Sequence, residues 1–261
     1  MQTKSKTLVV LTTYNQSDIT RSCLDSLKLI SDNHDVLIVD DASTDNTIEL
    51  CLEYGVNYIS KEVGKGLTDS WNLAYQYFKD NDYKYFVIAN NDILIPNMAL
   101  SEMIDVLDKW PCSLVVPMST QLGAGHNQEQ IIDKWYGQND YDITENYQRV
   151  QDLLLAIKES ETNSNNLYKF DPVRMKMFNG FFFMMNKNIC QYERTDGNLF
   201  DPAFINVKNE DEFNWSNLIP NNDYAMLCKT AFVFHFKGMS FTKAGIKYNN
   251  NLKEHLEQRE N

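Results

Sequence analysis

Positive charge is scarce in this sequence. Lys and Arg number 24 against 36 Asp and Glu, for a formal net charge of -12. A surface for nucleic acid or anionic lipid needs clustered Lys and Arg, so neither partner fits. A phosphorylated small molecule still does, because a bound cation reverses the local sign. Cysteine is sparse as well. The five residues Cys23, Cys51, Cys112, Cys190 and Cys228 are odd in number and widely scattered. No pair has metal-ligand spacing, and four of them sit in apolar or helical patterns, as free thiols in a reducing compartment do. Long apolar runs are missing altogether. Met1 to Lys6 leads directly into a strand pattern, with neither a signal-peptide core nor a bilayer-spanning segment. The expectation is a cytoplasmic protein without a transmembrane segment. There is no internal repeat.

A core, by contrast, is well supplied. Hydrophobic residues make up 43% and aromatics 12% of 261 residues, enough for one large α/β domain or two small ones. Short apolar runs at Thr7–Thr12, Val36–Val39, Val56–Ile59, Tyr85–Ala89 and Ser113–Val116 read as buried strands. Between them, Ile19, Cys23, Leu24, Leu27 and Ile30 recur at helical spacing. Further helices are expected at Ile48–Leu52, Leu67–Phe78 and after Pro96-Asn97 through Leu107. Ser43, Thr44 and Asp45 are N-cap residue types, and Gly55 suits a helix C-terminus. Alternation at this rhythm predicts parallel βαβ units with right-handed crossovers. The rhythm breaks after Pro117. Residues 121–170 are polar, with one amphipathic helix marked by Tyr147, Val150, Leu154 and Ile157, and read as a lobe or lid facing substrate. Apolar strands return at Phe178–Met185 and Ala231–Phe236. A surface helix is expected after Lys247.

The fourth strand carries the clearest chemical signal. Tyr85-Phe86-Val87-Ile88-Ala89 stops at Asn90-Asn91-Asp92. In open α/β sheets ligands sit beyond the carboxyl ends of the strands, where these three residues would lie. A carboxylate there suits a divalent cation carrying a diphosphate, since Mg²⁺ takes one or two carboxylates and fills its shell with phosphate and water oxygens. An Asn-rich turn after a strand is the alternative reading.

Landmarks along the chain resemble the family-2 glycosyltransferases, inverting enzymes of the GT-A fold. They are Leu11-Thr12-Thr13-Tyr14-Asn15, Val39-Asp40-Asp41-Ala42-Ser43-Thr44-Asp45, Ala89-Asn90-Asn91-Asp92, Asn179-Gly180, Glu210-Asp211 and His235. Each is weak alone; their order over Leu11 to Ser240 gives them weight. The layout of Leu199-Phe200-Asp201 before the acidic pair is most similar to a rhamnosyltransferase-type branch. The fold class expected is therefore α/β: a GT-A nucleotide-binding sheet, mostly parallel and flanked by helices. It forms a single domain over 1–261, with a nucleotide-sugar half at 1–118, an insertion at 119–172, an acceptor-side half at 173–240 and a tail at 241–261.

The resemblance also implies roles. Thr12, Tyr14 and Asp41 fall on the base and ribose, where a ring to stack on and an acceptor for an imide N–H are needed. Asn91 falls near the ribose, and Lys65, between Gly64 and Gly66, is a candidate for the phosphates. Asp92 implies Mn²⁺ or Mg²⁺. The motif's first acid is replaced by Asn90, an amide that carries no negative charge. Trp71-Asn72 is the sole echo of the family pattern around Lys65. Asp211 is the general base on the acceptor hydroxyl, with Glu210 orienting it or holding the acceptor; an acidic first helical turn is the structural alternative. His235 stands in an apolar strand, as a satisfied core residue or as a ligand to metal or diphosphate.

The implied activity is inverting transfer from a UDP- or dTDP-sugar to a hydroxyl-bearing glycan or glycoconjugate, in glycan or polysaccharide biosynthesis. Two other classes share the features. A sugar nucleotidyltransferase needs a Gly-rich, basic phosphate loop, yet Thr12–Asp18 holds no Gly, Lys or Arg. A non-catalytic nucleotide- or glycan-binding module draws its support from Asn90.

Overall fold

Successive strand residues face opposite sides of a sheet, so a strand that is apolar throughout needs a cover on both faces. The computed structural model, which describes residues 7–119, 130, 171–175, 178–204 and 224–236, meets that need with helices on each side. In chain order its elements are β1 (Thr7–Thr13), α1 (Ser17–Lys28), β2 (His34–Asp40), α2 (Thr47–Tyr54), β3 (Asn57–Ser60), α3 (Leu67–Asp80) and β4 (Tyr85–Asn90). The short β5 (Ile93–Leu94), α4 (Ala99–Lys109), β6 (Leu114–Met118), β7 (Val173–Met175), β8 (Phe182–Asn186), β9 (Ala225–Phe232) and β10 (Phe234–His235) follow.

One face of the sheet presents Leu8, Val10, Phe86, Ile88 and Phe183 to Trp71, Tyr75 and Phe78 of α3. Phe78 and Phe86 stack with ring centres 4.9 Å apart. The other face presents Val9, Leu11, Val87, Ala89 and Met184 to Cys23, Leu24 and Leu27 of α1 and to Leu100 and Met103 of α4.

The strand order is β3-β2-β1-β4-β8-β6-β9-β7. β3, β2, β1 and β4 are mutually parallel. β8 runs antiparallel between β4 and β6, β9 lies parallel to β6, and β7 is antiparallel at the edge. The sheet is thus mostly parallel, as the sequence implies. The chain steps outward from β1 to β2 and β3, then returns to β1's other side as β4. That reversal opens a crevice at the carboxyl ends of β1, β2 and β4. The register sets Thr12 beside Val39 and Asn90, and Thr13 beside Asp40.

Several expectations are corrected in detail. The fifth apolar run does not extend the parallel series directly; β8 inserts between it and β4. The apolar stretch from Phe178 enters the sheet only at Phe182. The last strand is two. β9 starts earlier, at Ala225, and ends at Phe232, where the β6–β9 register shifts between Pro117 and Met118. Val233 donates its N–H to the Met118 carbonyl at 3.0 Å, and the chain then leaves the main sheet to pair β10 with β5. β7 has no counterpart in the sequence reading. The expected helices around Val150 and after Lys247 lie outside the described residues.

Candidate active site

The loops after β1 and β2 are tied into one unit. Asn15, Gln16 and Ala42 have φ of 54°, 65° and 64°, and they are the non-glycine residues with positive φ among those described. Such backbone is uncommon outside glycine and gathers where surrounding structure over-determines it. Here the determinants are hydrogen bonds. Ser43 Oγ accepts from Asn15 N at 2.7 Å, and Asn15 Oδ1 accepts from Thr44 N at 2.8 Å. Asp45 then serves two helices at once. Its Oδ2 accepts from Ser17 N, the first residue of α1, and its Oδ1 accepts from Thr47 N and Oγ1, the first residue of α2. Burial pushes this carboxyl up, and the bonds from Thr47 and Ser17 outweigh that and leave it below its ordinary value. Two helix N-termini thus converge on one carboxylate, as the dipoles favour.

The adjacent acids have diverged. Asp40 is fully buried and accepts from Ser43 N and from Ser60 Oγ at 2.9 Å. Asp41 faces the crevice. Its Oδ1 lies 2.6 Å from Lys61 Nζ and accepts from Lys65 N at 2.8 Å, and its Oδ2 accepts from Gly66 N at 2.8 Å. A Cβ on Gly64 would come within 3.0 Å of the Asp41 carbonyl, and Gly66 adopts φ of 87°. Both glycines are needed for the loop to wrap this carboxylate. Tyr14, 37% exposed, stands on the rim, and Thr12 lies below it at the end of β1.

Across the crevice, the β5–β10 ladder sets His235 opposite Ile93. Phe236 N donates to the Asp92 carbonyl at 2.9 Å. Asp92 Oδ1 thereby comes within 3.2 Å of His235 Nε2, both residues being buried. The imidazole stacks on Phe181, ring centres 4.7 Å apart. Burying an acid and an imidazole at the end of an apolar ladder costs stability that a hydrophobic pair would not. Carboxylate oxygen and imidazole nitrogen together suit Mn²⁺ and tolerate Mg²⁺. Two such donors leave coordination positions for diphosphate and water, and no larger His/Cys/Asp/Glu group gathers among the described residues. The pair therefore fits a nucleotide-carrying cation. Cys23, behind Asp92, does not compete as a ligand. Burial first, then the Asp92 carboxylate, push its thiol far up, and it stays protonated.

The family model described as glycosyl transferase family 2 matches residues 8–190. The chain belongs to glycosyl transferase family 2. Its fold is shared with solved structures of low sequence identity. The mannosyltransferase PcManGT from Pyrobaculum calidifontis, in complex with GDP-Man and Mn²⁺, superposes with a TM-score of 0.58 at 15% identity, over 98% of this chain and 69% of that one. TarS 1-349 from S. aureus gives 0.56 at 16%, over 91% of this chain and 62% of that one. GalNAc-T7 with UDP, GalNAc and Mn²⁺ gives 0.61 at 11%, over 90% and 44%. These likenesses establish the GT-A architecture. Comparison with curated proteins returned no match.

Set against this family-2 framework, Asp92 and His235 come together from distant parts of the chain, and Thr12, Tyr14 and Asp41 share the crevice opposite them. Of two further expected nucleotide contacts, one is engaged within the protein and the other is exposed. Asn91 is turned inward and donates its amide to Thr20 Oγ1 at 3.0 Å, bracing α1, an orientation that gives a ribose contact no support. Lys65 contributes its main-chain N–H to Asp41, and its side chain is exposed. Glu210 and Asp211 lie outside the described residues. Asn72 holds the Phe200 backbone by bonds in both directions, each 2.9 Å, and so fixes the Leu199-Phe200-Asp201 segment against Trp71.

Two residues went unread in the sequence. Lys61 is the first residue beyond β3, in the same crevice, and that position was its only signal. Gln130 is fully buried in a polar stretch. Its side chain accepts from Asn179 N at 2.7 Å and donates to the Pro117 carbonyl at 3.2 Å. A cavity of about 440 Å³ lined by Trp110, Ser113, Lys187 and Gln191 opens at the opposite edge of the sheet and holds none of these residues.

Among the described residues no helix is long and apolar enough to cross a membrane.

Proposed function

We propose that this protein transfers a sugar, with inversion, from a UDP- or dTDP-sugar to a hydroxyl of a glycan or glycoconjugate, in glycan or polysaccharide biosynthesis. The observation that carries the reading is the 3.2 Å approach of Asp92 and His235, buried together at the carboxyl edge of the sheet. Those two residues hold Mn²⁺ or Mg²⁺. The cation, when bound, supplies positive charge to the diphosphate as it departs. Tyr14 offers its exposed ring to the base, Asp41 accepts the imide N–H, and Thr12 lies at the ribose. The cross-bonded loops around Asn15 and Asp45 hold these groups rigid before the nucleotide arrives, so little ordering cost falls on binding. Asp211 takes the proton of the attacking hydroxyl and Glu210 orients it. Residues 119–172 are assigned as an insertion serving as a substrate-facing lobe or lid, and 173–240 as the acceptor-side half.

The test is incubation with a panel of nucleotide sugars and Mn²⁺. Release of free nucleoside diphosphate in step with sugar transfer is the expected result. Release of pyrophosphate would make the protein a nucleotidyltransferase, and binding without turnover of any donor would make it a binding module.

A further inference from the structure

A carboxylate has about four lone-pair sites, two on each oxygen. At Asp41 three are filled by the protein itself. Lys61 Nζ and Lys65 N occupy Oδ1, and Gly66 N occupies one side of Oδ2. Lys61 is held there firmly. Its side chain is only 7% exposed, and the ammonium also donates to Asp69 Oδ2 at 2.9 Å and to the Gly66 carbonyl at 3.4 Å. With three partners its donors are spent, so it offers no hydrogen bond to an incoming base. Asp41 keeps 16% side-chain exposure toward the crevice. The carboxylate thus presents a single acceptor site, on Oδ2.

We infer that Lys61 is a specificity-determining residue, blocking Asp41 Oδ1 so that the site accepts a base with one imide N–H and rejects one with two adjacent donors. Uracil and thymine offer one N–H flanked by carbonyls. Guanine offers an imide N–H and an amino N–H side by side, and would need both carboxylate oxygens. With Oδ1 filled, guanine's amino group loses its water without gaining a partner, the costly half of a hydrogen-bond exchange. The inference rests on the nucleotide reading of this crevice and adds to it a reason for the choice of base. Sequence pattern alone could not supply that reason, because it follows from the occupancy of two oxygen atoms.

Inosine diphosphate separates the effect from ring size, since hypoxanthine is a purine with the imide N–H and without the amino group. Calorimetric titration of the wild-type protein with UDP, IDP and GDP, each with Mn²⁺, should give tighter binding of IDP than of GDP by about tenfold. GDP binding as tightly as IDP, or tighter, overturns the inference, and this comparison needs no variant. Lys61→Met should then bring the IDP-to-GDP ratio back toward one, while Lys61→Arg should preserve it. A uniform loss of affinity for all three nucleotides in Lys61→Met, with the ratio unchanged, reduces Lys61 to a structural brace and also overturns the inference. If the wild-type protein binds none of the three, the nucleotide reading itself fails and takes this one with it; if it binds UDP and shows no IDP preference over GDP, only the role of Lys61 is lost.

Discussion

The two sides of the crevice are built in opposite ways. The base side is local in sequence: residues 12–69 supply Tyr14, Asp41, Lys61 and the bonds that hold Asp41 and Lys61. The metal corner is assembled across the chain. Asp92 follows the fourth strand, His235 comes near the end of the described chain, and only a pair of two-residue strands brings them together. A local scaffold can fix a rim through many short hydrogen bonds. A long-range ladder places a buried carboxylate and a buried imidazole where water is scarce and electrostatic interactions are strong. On the proposed function, recognition falls to a region that forms from nearby residues, and charge stabilisation to a corner that forms only once distant strands have paired.

The sharpest way to break this division is to compare the acids on its two sides with the acid expected at the acceptor. Asp211→Asn should lower turnover by roughly 10²–10⁴-fold, the usual contribution of a positioned general base. Its nucleotide affinity should stay close to wild type, so kcat and kcat/KM fall together. Asp92→Asn should act earlier. It should weaken Mn²⁺-dependent nucleotide binding by at least the 10–100-fold typical of disturbing a metal's surroundings, with recovery at high metal concentration. Titration of UDP with and without Mn²⁺ distinguishes them. Loss of nucleotide binding in Asp211→Asn, with transfer intact in Asp92→Asn, would reverse the assignment.

What could be read in advance follows the same division. The strand-end positions of Thr12, Tyr14, Asp41 and Asp92 were legible because each lies at or just beyond the end of an apolar run, and the end of a buried strand is visible in composition. The parallel half of the sheet was legible for the same reason. β9 was half hidden because Cys228-Lys229-Thr230 interrupts its pattern, and β10 because two residues pairing with Ile93 and Leu94 leave no periodicity to find. Lys61 was missed since a lone lysine after a four-residue strand looks like any surface charge. Only the fold reveals that its ammonium lies against Asp41 and Asp69. Gly64-Lys65-Gly66 made Lys65 a candidate for the phosphates. The structure adds that the main-chain N–H groups of Lys65 and Gly66 bind Asp41, which sequence patterns do not display.

The base side should also be the more sensitive to acid. Asp45 accepts from the first residues of α1 and α2, so Asp45→Ala removes two caps and should cost about 1–3 kcal/mol of unfolding free energy. Because the folded carboxyl lies below its ordinary value, this contribution is present above about pH 4 and is lost as pH falls through the folded value. Urea titrations from pH 7 down to 3 should show a shallower acid limb in Asp45→Asn than in wild type. Equal slopes would mean that Asp45 holds no more tightly in the folded state than in the unfolded chain.

The smallest effect expected is also the one that reads the two regions separately. Cys23 lies behind the metal corner and Cys51 behind the base-side loops, and both are fully buried. Burial, then Asp92, raises the Cys23 thiol; burial, then Asp40, pushes the Cys51 thiol up to about 11. Neither forms a reactive thiolate near pH 8, so labelling of either requires its region to open first. A ligand that binds only the closed form slows labelling by the factor one plus its concentration over Kd. Mn²⁺ alone, at about ten times its Kd, should therefore slow labelling of Cys23 by roughly tenfold and leave Cys51 unchanged. Mass spectrometry of alkylated peptides at timed intervals measures both rates in one sample. Equal protection of the two thiols would show that the sheet opens as a single unit and that the corner and the rim are not separable. Protection of Cys51 alone would move the cation to the base side, away from Asp92 and His235.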